Sequence, residues 1–271
     1  MPELPEVETY RRLAERALER TISEVVAPDA WYLKRGLTGR AAAAALTGRR
    51  FTAARRRGKT LYLDSSDDGP VLKLGFGMSG RLVVDGIAGI DRLLGDGDAP
   101  ARQSAHKAPR ALEPWDRFAI RFEDGGDLRM RDPRRLGRVE LDADESRLGP
   151  DAVGLTPAGL RAVLGTSTAP LKARLMDQAR LAGVGNLIAD ELLWRAGLDP
   201  ARPAGSLEAR ELRRLHRHLV ATMAHVLAGG SHTGTLMPER GPGGRCPKDG
   251  TPLVRRTIGG RTTWSCPKHQ R

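Results

Sequence analysis

The sequence predicts an α+β chain of more than one domain, and three observations predict it. Between Thr21 and Leu141 the apolar residues alternate or cluster at strand spacing between turn residues. From Thr156 onward they recur at helical spacing, and the last 35 or so residues return to Gly, Arg and Thr with the look of a hairpin. At 271 residues the chain can hold two modest domains and bury real cores without disulfides. The composition changes near Leu148-Gly149-Pro150. We therefore expect domains at 1–147, 148–235 and 236–271.

Leu4, Val7, Leu13 and Ala17 lie at near-helical spacing and predict an opening helix. Thr60-Leu61-Tyr62-Leu63, Gly80-Arg81-Leu82-Val83-Val84 and Phe118-Ala119-Ile120-Arg121-Phe122 read as strands. Glu123-Asp124-Gly125-Gly126 is a hairpin turn by composition. Ala41–Leu46 interrupts the strands as a short alanine-rich helix, and Gly86–Pro114 reads as a long surface loop. Thr156-Pro157 marks a helix start, with threonine as N-cap and proline at the first helical position. Leu212, Leu215, Leu219, Met223 and Val226 form the apolar stripe of a later helix, on which Arg210, Arg213, Arg214 and Arg217 occupy much of the remaining surface.

No basic stretch followed by an apolar run opens the chain, and no segment approaches 18 apolar residues. We expect neither secretion nor membrane spanning, and an intracellular, cytoplasmic protein. The net charge is +12, unevenly spread: residues 201–271 hold 13 Lys/Arg against 4 Asp/Glu. The C-terminal quarter therefore suits a polyanion. Basic surface alone could equally serve RNA, DNA or an acidic membrane.

The chemistry-bearing candidates begin at the first residues. Removal of Met1 would leave Pro2 with a free secondary amine beside Glu3. An α-amino group has an ordinary pKa of about 8, so a useful fraction is neutral and nucleophilic at physiological pH. A secondary amine attacking a sugar carbon can go straight to an iminium ion, with Glu3 passing protons. The plainer alternative is that Pro2 and Pro5 only start a helix.

The opening Pro-Glu-Leu-Pro-Glu-Val-Glu is one of several patches that agree. With Arg56-Arg57-Gly58-Lys59, Gly77-Met78-Ser79-Gly80, Asp132-Pro133-Arg134-Arg135-Leu136-Gly137, Leu175-Met176-Asp177-Gln178, Gly183-Val184-Gly185-Asn186 and Gly259-Gly260-Arg261-Thr262-Thr263, it resembles formamidopyrimidine-DNA glycosylase and its relative endonuclease VIII, in order along the chain. The resemblance implies an N-terminal β-sandwich led by a catalytic helix, a helical helix-two-turn-helix domain and a C-terminal zinc-finger-like β-hairpin. It implies excision of oxidised bases from damaged double-stranded DNA and strand scission, by a chain acting as a monomer. Carried over residue by residue, Pro2, Glu3, Glu6 and Lys59 are the catalytic candidates. Pro2 would attack C1′ and form a Schiff base, and Glu6 would orient the site unless it merely favours the helix dipole. Lys59, Asn186 and Arg261 would grip phosphates; Asn186 could instead only cap a helix starting at Leu187. Met78, Arg134 and Leu136 would fill the gap left by the extruded base. Leu136 departs from the aromatic residue usual in the formamidopyrimidine branch.

The family's finger has two Cys-x-x-Cys pairs. Here the spacing is kept as Cys246-x-x-Asp249 and Cys266-x-x-His269, with 16 residues between the pairs. All four residues are expected to hold one Zn2+, since thiolate, imidazole and carboxylate all ligate zinc; a zincless finger held by packing and a pair of free cysteines stay open. Residues Ser231–Arg245 form a short connection where the family carries a longer lid over 8-oxoguanine. That shortening favours formamidopyrimidines or oxidised pyrimidines as substrates. The competing function is a non-catalytic damage-binding protein, which would have no need for the Pro2-Glu3 pair.

Overall fold

The computed structural model describes residues 2–88 and 112–271, and they divide into two compact units. One comprises Pro2 with the described residues of 6–145. The other comprises Glu3–Pro5 with Ser146–Arg271.

In the first unit helix α1 (Leu4–Ala14) is followed by β1 (Ile22–Val26), α2 (Gly39–Leu46), β2 (Phe51–Arg57), β3 (Thr60–Ser65), β4 (Leu72–Gly75), β5 (Arg81–Val84), β6 (Ile87–Ala88), β7 (Asp116–Phe122), β8 (Asp127–Arg131) and β9 (Arg138–Leu141). Two antiparallel sheets result, ordered β1-β7-β8-β5-β6 and β2-β3-β4-β9. Alternate residues of both, among them Phe118, Ile120 and Leu128 from one and Leu61, Leu63, Leu74 and Val139 from the other, bury into a single core with Val7 and Tyr10 of α1. That shared core makes the unit a β-sandwich. The expected loop of residues 86–114 begins instead as β6, because Ile87 and Ala88 pair with Val84 and Val83; the rest of it lies almost wholly outside the described residues.

In the second unit α3 (Pro157–Leu164), α4 (Leu171–Met176), α5 (Asn186–Ala196) and α6 (Ala209–Gly229) pack around one core, and β10 (Val254–Ile258) with β11 (Arg261–Ser265) forms the terminal hairpin. Thr156 caps α3 by accepting from the Gly159 amide, with Pro157 in the first turn. The stripe from Leu212 to Val226 buries as its spacing predicts. Trp194, Leu236, Leu253, Cys246 and Cys266 make a small separate core beneath the hairpin. Among the described residues no helix is long and apolar enough to cross a membrane.

Candidate functional site

Helix α1 begins at Leu4, so Pro5 occupies its first turn and Pro2 stands outside it. Pro5 thus plays the helix-starting part that the plainer sequence reading gave to both prolines. Pro2 is buried, and Glu6 lies buried in the first turn of α1.

Glu3 is 1% exposed and occupies the N-terminus of another helix. Its two carboxylate oxygens accept the amides of Leu187 (2.9 Å) and Ile188 (3.2 Å), the second and third residues of α5. Amides there have no partner inside the helix and sit at its positive end, so a carboxylate suits them. Gly185 makes the approach possible: a Cβ there would lie 2.1 Å from the Glu3 carboxyl carbon. The side chain of Gln178 braces the same turn, donating to the carbonyls of Met176 and Val184 and accepting from the Gly183 amide.

This corrects the capping read for Asn186. The helix starts at Asn186, not Leu187, its cap residue is Gly185, and no side chain of that residue is available to cap it. The Leu187 and Ile188 amides at this helix start are taken by Glu3. The half-buried Asn186 keeps a side-chain oxygen with no hydrogen-bond partner.

Lys59 is in the two-residue turn between β2 and β3, not on a strand: Arg57 pairs with Thr60, leaving Gly58 and Lys59 as the turn. Sequence reasoning missed the residue that holds this turn. Arg56 donates to the Gly58 carbonyl (2.9 Å) and pairs with Glu8 of α1 (3.2 Å). Its signal was its place in Arg56-Arg57-Gly58-Lys59, where only the lysine drew attention.

Met78, Arg134 and Leu136 stand exposed on two loops that the structure brings together. A Cβ on Gly77 would lie 2.3 Å from the Leu136 carbonyl oxygen. Asp132, fully buried, organises the pair: its carboxylate accepts from the amides of Arg134 (3.1 Å) and Gly137 (2.7 Å) and from the Ser79 hydroxyl. Arg135 adopts a left-handed backbone (φ 57°), and its guanidinium makes two 2.6 Å bonds to Asp29. Those bonds help offset the strain. Hydrogen bonding and charge from Arg135 hold the Asp29 carboxyl below its usual range.

Arg261 is exposed at the start of β11, just past the tight Gly259-Gly260 turn that packs on Ala173 of α4. Beneath it Lys172 and Asp190, both 0% exposed, form an ion pair of 2.7 Å. Lys172 also donates to the Thr262 carbonyl and the Thr263 hydroxyl, and Asp190 receives Arg240 and the Trp264 amide. Burial pushes the Lys172 ammonium down against the pull of Asp190. The hairpin presenting Arg261 is thus fastened to α4 and α5 by charged bonds.

Cys246, Asp249, Cys266 and His269 place one ligand atom each within 4.8 Å of one another, a cluster that could hold a metal ion. The Cys246 sulfur lies 3.3 Å from His269 Nδ1, and the Cys266 sulfur 3.5 Å from an Asp249 oxygen. His269 Nε2 is 3.0 Å from the Trp194 carbonyl, so that nitrogen carries the proton and Nδ1 faces the cluster. The Thr251 amide fixes Asp249 and holds its carboxyl at about 2, so it is anionic. Two sulfurs, an imidazole nitrogen and a carboxylate oxygen at these separations fit a tetrahedral ion. The connection before the hairpin is tied down as well: buried Glu191 accepts from the Thr235 (2.9 Å) and Leu236 (2.8 Å) amides and pairs with Arg195.

Comparison with known proteins bears on this arrangement. Residues 1–139 match the family model described as the formamidopyrimidine-DNA glycosylase N-terminal domain, and residues 148–236 match that of the formamidopyrimidine-DNA glycosylase H2TH domain. The proteins named formamidopyrimidine-DNA glycosylase in Thermus thermophilus and Geobacillus kaustophilus are 36% and 33% identical. Each match covers 100% of this chain, with 98% and 100% of the relative's length. Among solved structures, Lactococcus lactis FPG (MutM) in complex with DNA containing FAPY-dG superposes at a TM-score of 0.79 with 25% identity, over 99% of this chain and 100% of that one. MutM in complex with DNA containing carbocyclic 8-oxo-G superposes at 0.80 with 27% identity over 100% of both chains.

Proposed function

The chain belongs to the formamidopyrimidine-DNA glycosylase family, and from that premise we propose that it excises oxidised bases from damaged double-stranded DNA and then cleaves the abasic strand. The observation that carries the catalytic reading is the seating of Glu3 on α5, with Gly185 leaving room for the carboxylate. That seating fixes residue 3 far more closely than starting a helix requires, and Pro2 is its covalent neighbour. Once Met1 is removed, the Pro2 nitrogen attacks C1′ and the bond to the damaged base breaks as the base takes up a proton. The sugar ring oxygen then accepts a proton as the ring opens to the iminium form. The Glu3 carboxylate, held beside Pro2 in sequence, can carry those protons. Loss of a C2′ proton to a base and departure of the 3′ phosphate from the Schiff base cut the strand, and water then hydrolyses the imine to free the Pro2 amine.

In this reading Lys59, Asn186 and Arg261 hold phosphates, and Glu6 orients the N-terminal turn. Met78, Arg134 and Leu136 enter the gap left by the extruded base. Residues 1–147 form the catalytic domain, 148–235 the helix-two-turn-helix domain and 236–271 the finger. The finger's four ligands hold Zn2+, whose part is to brace the hairpin bearing Arg261; the amine chemistry needs no metal. Because Glu191 ties residues 235 and 236 to α5, little chain is left to fold over an everted 8-oxoguanine. Formamidopyrimidines or oxidised pyrimidines are then the better substrates. Excision rates on matched duplexes check this, and release of 8-oxoguanine as fast as the others would refute it.

The central test is borohydride trapping of Met1-processed protein on abasic-site DNA, with mass mapping of the attachment. A covalent complex at Pro2 supports the mechanism. Tight binding to that DNA without a complex would make the chain a damage-binding protein, and attachment at Lys59 would move the nucleophile.

A further inference from the structure

Among the described residues seven large hydrophobic side chains are exposed. Four of them, Trp31 (66%), Trp115 (54%), Leu136 (49%) and Met78 (38%), stand on segments joined by one polar network. Asp29 accepts from the Trp31 amide (3.1 Å), takes the Arg135 guanidinium and lies 3.7 Å from Arg117. Arg117 donates to the Asp132 carbonyl, and the Asp132 amide donates to the Trp115 carbonyl, both at 2.9 Å. The loop carrying Arg134 and Leu136 is therefore rooted on the segments that carry the two tryptophans.

The chain has four tryptophans. Trp194 is buried and Trp264 half-buried, each with the hairpin, whereas these two stay exposed. Lone exposed leucines need no explanation, but two exposed indoles and two further apolar side chains on segments tied into one polar network are a group that does. The surroundings indicate its partner. Lys34 lies 4.1 Å above the Trp31 ring and donates to the Trp31 carbonyl, which braces the indole. Arg134 and Arg138 are exposed on the intervening loop and at its end. Aromatic rings among cations suit unpaired nucleobases on a phosphate backbone. Leu136 has no π face, so at this position the chain fills space without stacking.

We propose that Trp31 and Trp115 are base-stacking residues that extend the wedge, receiving nucleobases left unstacked when the duplex opens at a lesion. The inference rests on the proposed roles of Met78, Arg134 and Leu136, and it assigns the stacking that Leu136 cannot supply.

The test is fluorescence and affinity titration, at fixed salt, with a duplex carrying a tetrahydrofuran abasic analogue and with its undamaged counterpart. The proteins are the wild type, Trp31→Ala, Trp115→Ala, the double variant and the two Trp→Phe variants. Abasic duplex should quench wild-type emission, and each alanine should weaken its binding about tenfold. The double variant should lose the quench and keep both its melting temperature and its affinity for undamaged duplex, while phenylalanine restores part of the affinity. Unchanged abasic-site affinity in the double variant would overturn the proposal alone, as would equal losses on both duplexes. A wild type that shows no preference for the abasic duplex would overturn the wedge assignment and this proposal with it, independently of borohydride trapping at Pro2.

Discussion

Glu3 and Gly185 show how a catalytic candidate is positioned by a residue without a side chain. Alanine at 185 would drive a methyl group to 2.1 Å from the Glu3 carboxyl carbon, and the carboxylate would have to leave the α5 amides. We expect Gly185→Ala to fold and to lose about a hundredfold in trapping rate, the scale of loss when a reacting group is misplaced by an ångström. Single-turnover kinetics with a melting curve separate the two effects. Asp132 plays the comparable part for the loop carrying Arg134 and Leu136. Asp132→Ala leaves the Arg134 and Gly137 amides without their acceptor, at about 1–3 kcal/mol for each buried amide that finds no other partner. Thermal unfolding should report that loss, and affinity for abasic DNA should fall with it. Both residues sit inside motifs visible in the sequence. Their roles were not, because a motif names residues while the partner of a buried carboxylate depends on what the chain folds against it.

At the scale of elements, α4 and α5 hold the β10–β11 hairpin through the Lys172-Asp190 pair. Removing one partner of a buried pair strands the other charge, so Asp190→Ala should destabilise the unit by about 3–5 kcal/mol. Lys172→Met with Asp190→Leu should recover much of that, as followed by denaturant unfolding. The metal cluster belongs to the same hairpin. Purified protein should contain stoichiometric zinc by elemental analysis. Chelation should lower its melting temperature while borohydride trapping at saturating abasic DNA persists, since in the proposed mechanism the ion would brace the hairpin bearing Arg261 and take no part in the amine chemistry. Periodicity located the helices and strands well: α2, α3, the stripe of α6 and the β7–β8 turn all appear where spacing and caps put them. It did not mark the Gly58-Lys59 turn, because a two-residue turn inside a run of arginines leaves no change of pattern.

For the whole molecule, charge governs the response to pH and salt. Arginine partners hold the carboxyls of Asp29, Asp124 and Glu211 below their usual range: Arg135, Arg20 and Arg202 respectively. A carboxyl lowered on folding binds fewer protons in the folded than in the unfolded chain between its two pKa values. The stability it lends is complete above its unfolded value of about 4 and drains as pH falls through the folded one. Melting temperature should therefore hold from neutral pH to about 5 and drop below about 4, less steeply in Asp29→Asn. The net charge of +12 predicts duplex affinity falling linearly with the logarithm of salt concentration, and Arg261→Ala should reduce that slope by about 1. The sequence by itself determined most of the strands and helices and the basic C-terminal quarter, because periodicity, caps and charge are local or additive, and its ordered motifs carried the family resemblance. Only the tertiary structure decided that Glu3 fills the start of α5, that Asp132 and Asp29 root the loop carrying Arg134 and Leu136, and that four spaced residues form one cluster. Each of those is a meeting of residues distant in sequence, set by packing and by the need of buried polar groups for partners.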